Sequence, residues 1–446
     1  MFKSLLIISV LIPTFLGAIT VAERGKAAEY TIILPAKATA SQKYAAKELQ
    51  SFTKQMTGVK LPIINDDTPL PKKAVLLGVT KYTKEAVGPV DLEKLGDDGF
   101  TLKTAGNHIC IIGSGVRGTL YGVYELLEKH GGCRWYSSWH SRIPKLGKWD
   151  IPELNDTQTP AFVVREPFWY DMFKGDFAAR SRSNGNRPYL KEKHGGKIRF
   201  GSGMFVHTFN GLCSPDKYFD EHPEYFSMVK GKRLREHSQL CPTNPDVLKI
   251  VTEETLKRIR KDPTAKVFSV SQNDRRSPCE CTACKAIDDK EESHAGTIIQ
   301  FVNKVAEAVE KEFPDVWIET LAYQYTRKPP KFVKPRHNVV PRLCTIECDF
   351  SHPLNQSAYK ENKSFMSDIS GWSKMTDKLF IWDYVTNFHH YIGPFPNVFS
   401  LQKNIKMFRD NHVIAMFEQG DYTGAHGEFA ELKAWLIAKL LWNPDQ

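Results

Sequence analysis

Apolar and polar positions change period several times between residues 29 and 138. Residues 30–34, 74–78, 99–103, 108–112 and 133–136 read as short strands, and residues 42–56 and 119–130 as amphipathic helices. That order predicts a small α+β domain with a mixed sheet. A stretch rich in Pro, Asp and Thr follows over residues 151–160, the composition of a domain boundary. From residue 161 the rhythm becomes an apolar run followed by a helix. The strand candidates are 163–170, 199–207, 238–241, 266–271, 316–323, 339–347, 378–384 and 413–418. Among the helices, 245–260 places Val247, Ile250, Val251 and Leu256 on one face. Residues 297–313 repeat Ile298, Val302, Val305 and Val309 at helical spacing, and 429–441 form the last helix. Eight strands alternating with helices over about 285 residues predict a parallel (β/α)8 barrel of the TIM type. The chain therefore divides into a small α+β domain over 29–150 and a barrel over 161–446.

The first 28 residues read as a secretory signal peptide. Lys3 supplies the positive start, residues 5–16 the apolar stretch, and Gly17-Ala18 or Val21-Ala22 the small-residue cleavage site. The apolar run is shorter than the ~20 residues a membrane span needs. Localisation is thus expected to be secreted or periplasmic, with no membrane span. The net charge of +10 is dispersed, without a basic block or a nucleic-acid motif, so no nucleic-acid partner is expected. Gly113-Ser-Gly115-Val-Arg-Gly118 has the form of a dinucleotide fingerprint between a strand and a helix. The unit after it lacks the acidic residue that would bind a ribose. These glycines are read as serving a tight turn and close packing, and no cofactor is expected.

Nine cysteines in an exported chain predict some disulfide pairing. The cluster Cys279-x-Cys281-x-x-Cys284 is expected to form a disulfide-tied loop that can reach Cys241. A metal half-site, with His294 as the nearest extra candidate, is the alternative.

The strand ends carry carboxylates and flat aromatic rings: Trp169-Tyr170-Asp171, His207, Asn273-Asp274, Tyr323-Gln324-Tyr325, Glu347-Cys348-Asp349, Trp382-Asp383-Tyr384 and Glu418-Gln-Gly-Asp421-Tyr422. In a barrel those ends converge on one mouth. Rings that stack on a sugar's C–H face, beside acids that bond its hydroxyls, suit a carbohydrate. No metalloprotease, serine-hydrolase or nucleotide motif competes with that reading.

The second region resembles glycoside hydrolase family 163, formerly a bacterial domain of unknown function. The residues that carry the resemblance are Phe205-Val-His207-Thr-Phe209, His222-Pro-Glu-Tyr-Phe226, Gln239-Leu-Cys-Pro-Thr-Asn244 and Val270-Ser-Gln-Asn-Asp274. They continue with the cysteine cluster, Leu321-Ala-Tyr-Gln-Tyr325 and Trp382-Asp-Tyr-Val-Thr-Asn-Phe388. Through Leu120-Tyr-Gly-Val-Tyr-Glu-Leu-Leu127 the first domain is similar to the non-catalytic domain of family 20 hexosaminidases and family 67 α-glucuronidases. The resemblance implies an endo-β-N-acetylglucosaminidase acting on N-glycans, retaining configuration by substrate-assisted catalysis. The segment from Gln239 to Asp274 also looks like family 20, and on that likeness Asn273 takes the position of the group that polarises the acetamide and Asp274 that of the general acid. Glu347, after strand six and facing the same mouth, is the rival acid. Tyr323, Tyr325, Trp382, Tyr384, His207, Asp383 and Glu418 are the remaining candidates around the sugar, and Arg180, Arg182 and Asn184 are candidates for holding its hydroxyls. Two alternatives stay open. One is a glucuronidase-like enzyme using the separated carboxylates Asp274 and Glu347. The other is a non-catalytic glycan-binding protein.

Overall fold

The computed structural model describes residues 18–446. Most of the expected leader, residues 1–17, lies outside the described residues. Two compact units are formed. One comprises the chain up to Arg134 with Ser141–Thr159 and Glu192–Gly195. The other comprises Trp135–His140, Pro160–Lys191 and Gly196–Gln446.

The first unit contains β1 (Ile19–Glu23), β2 (Thr31–Leu34), α1 (Ala40–Thr57), β3 (Ile63–Asn65), β4 (Ala74–Leu77), β5 (Phe100–Ala105), β6 (His108–Gly113), α2 (Gly118–Lys129), β7 (Lys148–Ile151) and β8 (Asn155–Gln158). Six strands make a mixed sheet in the order β8-β5-β6-β4-β2-β3, as the pattern predicts. Thr39 and Gln42 form a capping box at the start of α1, and Gly58 ends it at a φ of 83°. The fingerprint-like glycines serve packing: a Cβ on Gly118 would stand 2.2 Å from the Gly99 carbonyl oxygen. Within residues 151–160, β8 pairs with β5 as the sheet's antiparallel edge. Part of the presumed leader is a strand, since β1 pairs antiparallel with β7 and buries Val21 and Ala22.

The second unit is built on β9 (Val164–Phe168), α3 (Pro245–Lys261), β10 (Val267–Ser269), α4 (Ala295–Glu310), β11 (Trp317–Ala322), β12 (Val339–Cys344), α5 (Lys360–Ser373), β13 (Leu379–Tyr384), α6 (Val398–Asp410), β14 (Val413–Gln419) and α7 (Ala430–Trp442). The strands form one curled parallel sheet, a half-barrel of six in the order β9-β14-β13-β12-β11-β10. Its concave face gathers Val164, Phe200, Val267, Val340, Phe380, Ala415 and Phe417. Val302, Val305 and Val309 of α4 pack behind it with Ile318 and Val339, each such burial contributing about 1.5–3 kcal/mol.

Two of the eight expected strands do not ladder. Residues 199–207 make only the parallel bridge Phe200↔Val267. Gly203 and His207 there adopt φ of 68° and 53°, which breaks extended pairing. Residues 238–241 make only the antiparallel bridge Phe226↔Leu240.

Candidate active site

Period-two alternation decides which side chains reach the concave face. On β13, Phe380, Trp382 and Tyr384 share that face, and on β11, Trp317, Glu319 and Leu321 share it. Trp382 and Tyr384 lie nearly parallel, 6.1 Å between centroids at 15°, and Phe350 stacks on Tyr384 at 5.9 Å. The Trp382 indole N–H donates to Gln419 Oε1 at 2.7 Å, which fixes the ring. Beneath this platform Arg342 meets Glu319 at 2.9 Å with both side chains fully buried. The guanidinium is ringed by Phe200, Phe205, Phe380 and Trp382 at 4.6–5.2 Å.

Asp274 follows β10 and is exposed. The Tyr323 hydroxyl donates to its Oδ1 at 3.2 Å and accepts from Gln324 Nε2 at 2.7 Å. Burial, and then the Asp274 charge, pushes the Tyr323 phenol up to about 12, so it stays a donor at neutral pH. Burial also raises the Tyr384 phenol, and the charge of Asp274 adds to the shift. His207 sits beside Tyr323, 6.0 Å between centroids, with Nδ1 2.8 Å from the Gln272 carbonyl oxygen. The structure thus assembles Asp274, Tyr323, His207, Trp382 and Tyr384 at the strand ends.

Other expected site residues contact protein groups. Both N–H groups of the Asn273 amide are used, toward Asn210 Oδ1 at 2.8 Å and the Ser238 carbonyl at 2.9 Å, and its Oδ1 accepts from Asn210 N at 3.1 Å. These bonds seat the loop that carries Asp274. Asn184 is fully buried and bonds the backbone of Arg165 and Val163. Arg182 is buried over the Trp442 ring at 5.0 Å, and Arg180 lies over Trp135 at 5.8 Å. Tyr325 turns to the His294 ring, 5.8 Å away. Asp383 and Glu418 alternate away from the platform and pair in register between β13 and β14. Burial pushes Asp383 up to about 6, even though the Thr345 hydroxyl donates to it at 2.6 Å. Glu418 is raised by burial and then by the Asp383 charge.

Glu347 is held by Arg327 and by Arg276, the latter at 3.6 Å. Asp349 accepts from Ser351 and meets His352 at 2.6 Å. Asp421 is buried and accepts from Thr423. Asp171 is buried and accepts from the Ser138 backbone. The sequence reading missed Arg342, Glu319, Gln419 and Phe350. The signal for the ion pair was a single charge at an inward-alternating position of each apolar strand.

Residues 135–446 match the family described as Domain of unknown function (DUF4838). Residues 19–126 match the family described as Glycosyl hydrolase family 67 N-terminus. Alpha-glucuronidase A of Emericella nidulans is 34% identical over 146 residues, 30% of this chain and 17% of that protein. Probable alpha-glucuronidase A of Aspergillus terreus is 31% identical over 111 residues, 21% of this chain and 13% of that protein. The match therefore spans less than a fifth of either relative's length. Among solved structures, a family GH115 4-O-methyl-alpha-glucuronidase with specificity for decorated arabinogalactans aligns with a TM-score of 0.56 at 11% identity. That alignment covers 95% of this chain and 57% of that one. The GH20 beta-N-acetylhexosaminidase from Streptomyces coelicolor A3(2) aligns at 0.51 and 11%, covering 95% of this chain and 88% of that one. Both likenesses are of fold.

Proposed function

We propose, starting from a chain that belongs over residues 135–446 to the family described as Domain of unknown function (DUF4838) and is related to glycoside hydrolases through its first unit, a β-N-acetylglucosaminidase that cleaves within N-glycans by substrate assistance. One observation carries the reading. Of the strand-end carboxylates, Asp274 alone is exposed beside the platform with a phenol hydroxyl as its side-chain partner, while Glu347, Asp349, Asp383, Glu418, Asp421 and Asp171 are buried or bonded to protein groups. A mechanism in which the sugar supplies the nucleophile needs one such acid.

The sugar's pyranose ring lies on Trp382 and Tyr384. Its acetamido oxygen attacks C1 as the C1–O bond to the leaving sugar breaks, and Asp274 passes its proton to the departing oxygen. The oxazolinium formed on the substrate is then opened by water at C1, with Asp274 taking the water's proton. Tyr323, a donor beside that carboxylate, steadies the charge that Asp274 carries between the two steps.

An aryl N-acetylglucosaminide and the matching aryl glucoside test this. Turnover of the first, blocked by an N-acetylglucosamine thiazoline, with none of the second, is expected. Comparable rates on both would remove substrate assistance.

A second reading is favoured by the family 67 N-terminal match and by the exposed Arg276, which contacts Glu347 near the mouth. In it Asp274 and Glu347 act as separated carboxylates on a uronic acid, whose own carboxylate pairs with Arg276. Hydrolysis of an aryl glucuronide without thiazoline inhibition selects this reading. Glycan binding without turnover of any reporter returns the protein to the lectin class.

A further inference from the structure

Behind the Asp274 loop, four cysteines converge. Cys279 and Cys281 precede the helix Thr282–Glu291, Cys284 lies in its first turn, and Cys241 arrives from the segment before α3. Cys279, Cys284 and Cys241 are buried and Cys281 half-buried. No disulfide joins them, which corrects the disulfide-tied loop expected from the sequence. Cys241 Sγ lies 3.7 Å from Cys281 Sγ and 3.8 Å from Cys284 Sγ, and all four sulfurs lie within 4.8 Å of one another. Bonded sulfurs stand ~2.05 Å apart. A sulfur tetrahedron with a metal–sulfur distance of ~2.3 Å has edges of about 3.8 Å.

The surroundings suit thiolates. The Met228 backbone N–H donates to Cys279 Sγ at 3.4 Å, and the Arg233 guanidinium reaches the same sulfur at 3.7 Å. The Thr243 hydroxyl stands 3.1 Å from Cys284 Sγ. Such outer donors orient metal-bound sulfur and offset its charge. His294, the extra ligand considered from sequence, instead pairs with Asp288 at 2.5 Å.

We propose that Cys241, Cys279, Cys281 and Cys284 bind one zinc ion, forming a closed structural site that braces the loop bearing Asp274. The four thiols release their protons on binding, leaving a doubly negative centre that Arg233 partly balances. The bracing follows from connectivity. Gln239, two residues before Cys241, accepts from the Asn273 backbone N–H at 2.8 Å and donates to the Arg275 carbonyl at 2.8 Å. A metal joining Cys241 to Cys279–Cys284 therefore clamps both sides of Asp274. A four-sulfur tetrahedral set selects zinc or iron among common ions, and the first is assigned here.

The test uses the full chain purified without reductant or chelator. Elemental analysis should give one zinc per chain. Exchange with cobalt(II) should give the intense sulfur-to-cobalt charge-transfer and visible bands of a tetrahedral thiolate site. Cys281→Ser and Cys284→Ser should abolish stoichiometric zinc, while Cys110→Ser, in the other unit, should leave it intact. Arg233→Met should retain the site with roughly tenfold weaker affinity in chelator competition. If the ligand variants do not fold, the metal content and cobalt spectrum of the unaltered chain decide alone. A mapped disulfide among the four, four free thiols without metal, or iron in place of zinc would each overturn the assignment.

Discussion

Converting Asp274 to Asn removes a transferable proton but keeps an oxygen for the Tyr323 hydroxyl, which now donates to Oδ1 at 3.2 Å. A general acid matters in proportion to how poorly the leaving group departs unaided. Asp274→Asn is therefore expected to cost roughly 10²-fold or more on a natural glycan, and far less on an activated phenol. Glu347→Gln should show no such leaving-group dependence, because its oxygens serve Arg327 and Arg276. The reverse pattern in paired kinetic assays would exchange the two roles. Asn273→Ala should follow Asp274→Asn in direction, costing more on the natural glycan than on the activated phenol, since it deletes the bonds to Asn210 and Ser238 that seat the loop bearing Asp274. At this scale the sequence was half legible. Trp382 and Tyr384 were singled out because they end a strand, and so was Asp383 between them. Period-two alternation sends it to the opposite face, and the parity was readable from the sequence. Asn273 was not readable in this way, because its partners Asn210 and Ser238 come from distant segments.

Between β13 and β14 the outward pair Asp383 and Glu418 makes stability fall with rising pH. Both carboxyls keep their protons in the folded chain to higher pH than in the unfolded one, Asp383 moving from the ordinary 3.8 to about 6. Below 3.8 both states are protonated and the full stability is present. As pH climbs from 3.8 through 6 the unfolded chain gives up protons that the folded chain retains, so stability declines. Glu418→Gln removes one of the two buried acids and eases ionisation of the other. Urea midpoints measured from pH 4 to 8 should show a shallower decline for the variant, and an unchanged slope would refute the pair's role. The pair inside the curl behaves differently. Arg342→Leu leaves Glu319 buried without its partner and should cost roughly 3–5 kcal/mol, whereas Arg342→Leu with Glu319→Leu should recover most of it. Equal losses in the single and double variants would mean that the ring cage around Arg342 dominates.

Across the whole chain, the six laddered strands were legible because apolar residues predominate in each, and the helices because their apolar faces repeat at helical spacing. The other two expected strands failed locally. Gly201 packs so tightly that a Cβ would stand 2.1 Å from the Phe268 ring, and the left-handed residues near it were invisible to a hydrophobicity pattern. At the start of the chain the same pattern left two cleavage sites open, Gly17-Ala18 and Val21-Ala22. Residues 19–23 are apolar enough to extend a leader, but they form β1, whose Ile19 and Glu23 pair with Ile151 and Lys148. Chains beginning at residue 19 and at residue 29 separate the two readings. The longer should keep β1 against β7, and the shorter should lose the burial of Val21, about 1.5–3 kcal/mol, together with the strand's backbone bonds. Thermal unfolding should then place the shorter chain several degrees lower, and equal midpoints would mean that β1 adds nothing to the first unit. If the protein is exported as proposed, terminal sequencing of material from its native host should find cleavage before Ile19, which retains this strand. A terminus between residues 24 and 29 would show that the mature protein dispenses with β1, and retention of Met1 would end the export proposal.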